Sequence, residues 1–235
     1  MKNSQTEYGV QYDKLLKEIT GNTSKLSPRA MSIREIKDHS SVLEFGSASG
    51  YITRLLKEEK HCEVYIVEID QEIAHASIPY AVDFCFEDCE NYGWEDKFKD
   101  LKFDNILFTD VLEHLKDPWE MLKRIKAFLK PGGSVLISLP NISYKTVLID
   151  LIKFDKFEYA PSGILDNTHL RFFTEKSARS LIEGADFKIA KTFYFKGAVV
   201  SNEMSLDELP FFVRAYLKNK IKNIGVSVFF FKAVL

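Results

Sequence analysis

Residues 42–50 read Val-Leu-Glu-Phe-Gly-Ser-Ala-Ser-Gly, and this stretch constrains the chain more than any other. An apolar run carries Glu44 near its end, Gly46 and Gly50 bracket small residues, and Ile52, Leu55 and Leu56 follow at helical spacing. That order is a strand, a tight glycine turn and a helix. Glycine permits the sharp turn and lets a ligand meet bare backbone, while the helix start offers unpaired N–H groups. A second apolar run, Val64–Val67, ends in Glu68. A carboxylate at the tip of the neighbouring strand can accept both hydroxyls of a ribose. Together the turn and the acid point to an adenosine-containing ligand.

Strand and helix signals alternate from residue 40 to residue 140. Glu72–Ser77 reads as a short helix with Asp70 as its cap, and Asp83–Glu87 as a third strand. Phe103–Thr109 is a fourth strand, ending at Asp110. Pro118 opens a helix in its first turn, Pro131-Gly132-Gly133 stops it, and Ser134–Leu139 is a fifth strand. This β–α alternation predicts a doubly wound α/β sheet, mostly parallel, with helices on both faces. Beyond it, Tyr144–Lys153 and Thr174–Glu183 read as helices around a loop-like stretch from Phe157 to Phe173. Phe187–Phe195 and Val226–Val234 read as strands, with a helical insert at Leu206–Ile221 between them. Such a pair joins antiparallel at the sheet edge. The expectation is one domain over residues 1–235: a helical extension (1–38), a cofactor-binding core (38–140), and substrate-side loops, insert and edge strands (141–235).

A net charge of −2 gives no electrostatic case for nucleic acid, and Lys218–Lys222 reads as a solvated helix face. Cys62, Cys85 and Cys89 form no CxxC pair, which suits reduced thiols in a cytoplasmic protein. No run approaches the ~18 apolar residues of a membrane-spanning helix, and the first residues lack the apolar core of a signal peptide. No cluster has the sequence spacing of a metal site, so no metal is expected.

Four stretches, in order, resemble class I S-adenosylmethionine-dependent methyltransferases. They are Leu43–Tyr51, the Glu68 strand tip, Asp110-Val-Leu-Glu-His-Leu-Lys-Asp-Pro, and Leu129–Asn141 with its Lys-Pro-Gly-Gly. The resemblance covers residues 38–195 and implies a Rossmann-like, seven-stranded sheet with an antiparallel last strand. The commonest turn of that family has a third glycine where Ala48 stands, and variants with small residues there resemble members found beside sugar-modifying enzymes. Nicotinamide-binding proteins want G-x-G-x-x-G, which positions 46–51 do not supply.

The resemblance implies roles. Glu44, Gly46, Ser47 and Gly50 form the turn beneath the methionine end of the cofactor, Glu68 takes the ribose, and Ile69 packs on the adenine. Asp88 accepts from the adenine amino group, the Cys89 backbone donates to the ring, and Thr109 and Asp110 border the sulfonium. Asp166-Asn-Thr-His-Leu-Arg lies over the pocket mouth and resembles the histidine-containing segment of small-molecule O-methyltransferases, quinone-biosynthesis ones included. His169, oriented by Asp166, is the expected base for a hydroxyl acceptor. Arg171 suits an anionic group on the acceptor, and Asn141 is a further acceptor contact. His114 reads equally as a packed histidine or as a contact to substrate or cofactor. The expected reaction is methyl transfer from S-adenosylmethionine, leaving S-adenosylhomocysteine, to a small-molecule or sugar hydroxyl. A non-catalytic cofactor-binding sensor or partner subunit is the alternative. The apolar stripe of the insert reads as core or as a surface for a lipid-linked substrate or membrane.

Overall fold

Five strands run parallel: β1 (Ser41–Phe45), β2 (Glu63–Glu68), β3 (Asp83–Phe86), β4 (Phe103–Thr109) and β5 (Leu129–Pro140). Two more, β6 (Lys188–Phe195) and β7 (Val228–Val234), complete a seven-stranded sheet in the order β3-β2-β1-β4-β5-β7-β6. Only β7 runs against the rest, pairing antiparallel with β5 on one side and β6 on the other. The expected sheet is therefore the one observed. The computed structural model describes residues 2–21, 26–197 and 205–235, with side chains from residue 10 onward. Residues 22–25 of the N-terminal extension lie outside that set.

Successive residues of each central strand feed opposite cores, so the strands read as unbroken apolar runs. Leu43, Phe45, Ile106, Phe108 and Ile137 pack on one face with Trp94, Met121 and Leu181. These last three belong to α5 (Gly93–Phe98), α6 (Pro118–Arg124) and α8 (Glu175–Glu183). Phe45 stacks on Phe108 with ring centroids 4.6 Å apart and meets Trp94 edge-on at 4.9 Å. Val42, Val64, Ile66, Leu107 and Leu136 fill the other face with Leu55 and Leu56 of α3 (Tyr51–Glu58). Two N-terminal helices, α1 (Lys2–Thr20) and α2 (Pro28–Glu35), add Tyr12, Leu15 and Ile33 to that core. The extension is thus part of the helical layer. Each fully buried side chain of this size contributes about 1.5–3 kcal/mol.

Local chemistry sets the helix starts. Asp70 caps α4 (Gln71–Ala74), accepting from the N–H groups of Glu72 and Ile73, and Thr174 caps α8 through a reciprocal pair with Ser177. The first of these helices ends at Ala74, short of Ser77.

One expected boundary is corrected. The helix opened by Pro118 ends at Arg124, passes through a 3-10 turn to Phe128, and β5 has begun by Leu129. Pro131-Gly132-Gly133 is a bulge inside β5: pairing to β4 jumps from Phe103–Leu129 to Asn105–Ser134. A Cβ on Gly133 would sit 3.0–3.1 Å from the carbonyl oxygens of Lys130, Asp104 and Phe103, so bare backbone is what fits there.

The insert after β6 holds α9 (Phe211–Lys220). Leu206, Leu209 and Leu217 pack with Ile224 and with Ile149 of α7 (Lys145–Phe154). Its other side exposes Phe211, Phe212 and Tyr216. The insert is both core and surface.

Candidate active site

The strand order reverses between β1 and β4, and a crevice opens there beyond the carboxyl ends of the parallel strands. A cavity of about 380 Å³ lies in it, lined by Gly46, Ala48, Glu68, Ile69, Asp88, Cys89, Asp110 and His114 among others. Seven of these eight come from the sequence-derived site, carried by the turns after β1, β2, β3 and β4; the eighth is Ala48.

Glu68 is the organising group. Its Oε2 accepts from the Ala48 N–H at 2.7 Å, and its Oε1 accepts from Ile69 at 2.8 Å and Asp70 at 3.1 Å. A carboxylate offers about four lone-pair positions, and three are filled by backbone. One remains, on Oε2, where both hydroxyls of a ribose were expected to bind. Ile69 is 66% exposed on the cavity wall, as a surface for an aromatic ring requires. Asp88 turns its Oδ1 to the Glu90 N–H at 2.9 Å, capping a short 3-10 turn, and still borders the cavity. Burial pushes the Cys89 thiol up to about 12, and the neighbouring Asp88 and Glu90 carboxylates reinforce this, so it carries no thiolate at neutral pH.

Other expected contacts lie beneath the cavity, away from its wall. Glu44 is buried with its Oε2 accepting from the Thr53 hydroxyl of α3 at 2.7 Å. Burial raises its carboxyl to about 7 against the Thr53 hydrogen bond, and Glu68 adds to the rise. Ser47 is buried and accepts from the Ser77 hydroxyl at 3.1 Å. Gly50 has φ +75°, and a Cβ there would come within 2.7 Å of the Ser77 Cα. It serves close packing of the turn against Ser77, where ligand approach was expected. Gly46, φ +71°, does line the cavity. Thr109 keeps its hydroxyl buried without a hydrogen-bond partner among the described residues.

Asp110, with φ +56°, is held in the left-handed region at the end of β4. The Ser138 hydroxyl donates to its Oδ1 at 2.6 Å and accepts from its N–H at 2.8 Å, while Arg29 of α2 pairs with Oδ2 at 3.0 Å. No signal in the sequence marked Arg29, which lies in the N-terminal extension.

A second cavity, about 500 Å³, adjoins the first and shares Asp110 and His114 with it. Pro28, Arg29, Glu113, Asp166 and His169 also line it. His169 is 7% exposed, and its ring meets that of His114 edge-on at 4.7 Å. Its Nδ1 lies 3.0 Å from the Ile164 carbonyl, which makes Nδ1 the donor and leaves the lone pair on Nε2. The orienting partner is thus a backbone carbonyl, correcting the expected Asp166. The Asp166 carboxylate instead accepts from the Thr168 hydroxyl and N–H at 2.6 and 2.8 Å. Burial holds the His169 imidazole below its ordinary range, the Ile164 bond opposes this, and His114 adds to it.

Two expected acceptor contacts are engaged elsewhere. Arg171 donates from Nε and Nη2 to the Lys116 carbonyl. Asn141 is buried and ties its amide to the Val226 carbonyl at 2.7 Å.

The fold also gathers groups that sequence spacing kept apart. One ligand atom from each of Glu113, His114 and His169 lies within 4.8 Å of the others, against the expectation of no metal-competent cluster. Glu113 is 1% exposed, its Oε2 has no hydrogen-bond partner among the described residues, and burial lifts its carboxyl well above the ordinary range, with Asp110 adding repulsion. The readable signal was the order Asp110-x-x-Glu113-His114 just past a strand.

A seven-stranded sheet with one reversed strand and a crevice beyond the carboxyl ends of its parallel strands is the class I methyltransferase fold. The chain belongs to the methyltransferase-domain family, whose pattern it matches over residues 12–192. It is 35% identical over 66 residues to ubiquinone biosynthesis O-methyltransferase of Coxiella burnetii, a match covering 28% of each chain. A methyltransferase of known structure from Archaeoglobus fulgidus superposes with TM-score 0.57, 18% identity and coverage of 94% of this chain and 99% of that one. A possible histamine N-methyltransferase from Thermotoga maritima gives 0.58, 14%, 100% and 95%. At such identities these two likenesses establish the fold alone. Among the described residues no helix is long and apolar enough to cross a membrane.

Proposed function

We propose that this protein transfers the methyl group of S-adenosylmethionine to a hydroxyl oxygen of a small-molecule or sugar acceptor. The observation that carries the proposal is the pair of adjoining cavities that share Asp110 and His114. The first suits the cofactor: Glu68 keeps an acceptor position, Ile69 offers an apolar face, and Asp88 stands on the rim. Bound there, the cofactor supplies an electrophilic methyl on a sulfonium. The second cavity would then seat the acceptor across the shared wall. What the chain supplies is alignment, and orientation of this kind is worth several kcal/mol. The acidic side chains of Asp110, Glu68 and Asp88 around the first cavity favour a cationic ligand.

Proton removal from the hydroxyl falls to the Glu113–His114–His169 cluster on the second cavity's wall. A buried, depressed imidazole without a carboxylate partner favours the cluster over His169 as a lone base. The O-methyltransferase named above supports oxygen as the acceptor atom. Calorimetry with S-adenosylhomocysteine tests the cofactor assignment: binding at one per chain is expected, and absence of binding ends the proposal. With an accepted hydroxyl substrate in hand, His169→Ala should lower turnover by ~100-fold or more while leaving that affinity intact.

A lipid surface as the place where acceptor is met is supported by α9. Phe211, Phe212 and Tyr216 are 75%, 72% and 62% exposed, with Lys218 and Lys220 on the same helix.

A further inference from the structure

We propose that Glu113, His114 and His169 hold a divalent first-row metal ion on the wall of the second cavity, where it binds the acceptor hydroxyl. The proposal rests on the methyltransferase reading above and names how that site handles the acceptor's proton.

The donor geometry is prepared. One atom of each residue falls within 4.8 Å of the others, close to the ~4.4 Å that two bonds of about 2.2 Å to a single ion can span, so small side-chain movements seat an ion. Both imidazoles are fixed from behind. The Ile164 carbonyl takes the His169 Nδ1–H at 3.0 Å. Thr168 lies beside the His114 Nδ1, its hydroxyl at 3.1 Å and its carbonyl at 3.3 Å. The Thr168 hydroxyl gives its own proton to Asp166 at 2.6 Å, so toward His114 it can only accept. Each ring therefore carries its lone pair on Nε2, in the tautomer a metal requires, and outer partners of this kind are how metal-bound histidines are held.

The second observation is independent of that clustering. Glu113 is 1% exposed and its Oε2 is buried without a hydrogen-bond partner among the described residues. A buried carboxyl oxygen left bare costs free energy unless something pairs with it. The other side chains of this cluster are imidazoles, and a cation would satisfy all three groups at once. The donor set of one carboxylate and two imidazoles selects Zn²⁺, Mn²⁺ or Fe²⁺ over Mg²⁺ and Ca²⁺, which prefer all-oxygen surroundings. Glu113, His114 and His169 border a cavity of about 500 Å³, so positions on the ion stay open to the acceptor.

Such an ion lowers the pKa of a bound hydroxyl as it does that of water. The hydroxyl proton leaves to bulk water. An oxygen lone pair then forms the new O–CH₃ bond while the S–CH₃ bonding pair remains on sulfur, and the sulfonium becomes a neutral thioether. Charge and atoms balance with no further reactant.

The test is metal binding to the full chain, with no turnover needed. Protein stripped with a chelator is titrated with Mn²⁺ by electron paramagnetic resonance and with Zn²⁺ by calorimetry. One ion per chain is expected for at least one metal, weakened at least tenfold in Glu113→Gln and, as a second variant, in His114→Ala. Thermal unfolding confirms that each variant is folded, and S-adenosylhomocysteine affinity confirms it for Glu113→Gln, whose side chain is not part of the first cavity's lining. Protein that binds S-adenosylhomocysteine but neither ion, or whose variants bind metal unchanged, overturns the metal site and leaves the methyltransferase reading standing. Failure to bind S-adenosylhomocysteine removes that reading, and the proposed role of the ion with it.

Discussion

The carboxylate of Glu68 accepts the backbone N–H of Ala48 at 2.7 Å, tying the tip of β2 to the turn that follows β1. One side chain thus fixes the shape of the crevice floor before any ligand arrives. Glu68→Ala removes a charged acceptor from three N–H groups and from the ligand at once. Affinity for S-adenosylhomocysteine should fall about 10- to 100-fold by calorimetry, and unchanged affinity would exclude Glu68 from the cofactor site.

Ala48 itself holds φ +44°, where an L side chain is disfavoured. Ala48→Gly relieves that cost and loses some of the gain to unfolded-chain entropy. A net stabilisation of up to about 1 kcal/mol is expected, raising Tm by roughly 2–4 °C at this chain length. A drop in Tm would mean that the methyl group packs usefully in the turn.

The two turn glycines should fail differently. A Cβ on Gly50 meets Ser77 backbone at 2.7 Å, so Gly50→Ala should cost at least about 2 kcal/mol in urea unfolding. A Cβ on Gly46 meets a side-chain methyl of Val111, also on the cavity wall. Gly46→Ala should therefore register more in cofactor affinity than Gly50→Ala does, and the reverse ranking would contradict the placement.

Glu44 makes stability depend on pH. Its folded carboxyl titrates at about 7 against an ordinary 4.5, so the folded state holds a proton that the unfolded chain has released. The stabilisation is complete below about 4.5, falls as pH rises, and is gone above about 7. Glu44→Gln keeps an acceptor for Thr53 and has no such proton. Relative to it, the wild-type protein should lose about 3 kcal/mol between pH 4.5 and pH 8 by urea unfolding. Parallel pH profiles would refute the assignment.

On α9, Phe211→Ser with Phe212→Ser should abolish co-sedimentation with anionic phosphatidylglycerol vesicles without lowering Tm, since both rings are exposed. Equal sedimentation by the double variant, or none by the wild type, would remove the lipid surface from the proposal.

Much of this was legible from residue order, because the parallel strands and capped helices are local events. Val42–Phe45 and Val64–Val67 announce buried strands, and Asp70 and Thr174 announce helix starts. Ligand-side positions after the strands came from the family resemblance that those stretches carry. What escaped were relations across the sheet. Gly50 answers to Ser77, Asp110 to Arg29, and Glu113 to His169, pairs 27, 81 and 56 residues apart along the chain. Pro131-Gly132-Gly133 misled because those residues usually end a helix, whereas Gly133 is required by the carbonyls of β4 and its own strand. Asp166 and Arg171 misled because charge near an expected pocket says nothing about which backbone group claims it first.

The reversed strand β7 lies between β5 and β6, and among the described residues β6 pairs with the sheet through β7 alone. In chain order β7 comes after every other strand, so β6 must wait for it before joining the sheet. Until it docks, β5 is an open edge and β6 has nothing to bond. Maturation of the sheet is gated by one long-range closure, and amides of β6 should gain protection against hydrogen exchange in step with those of β7, later than those of β1 and β4.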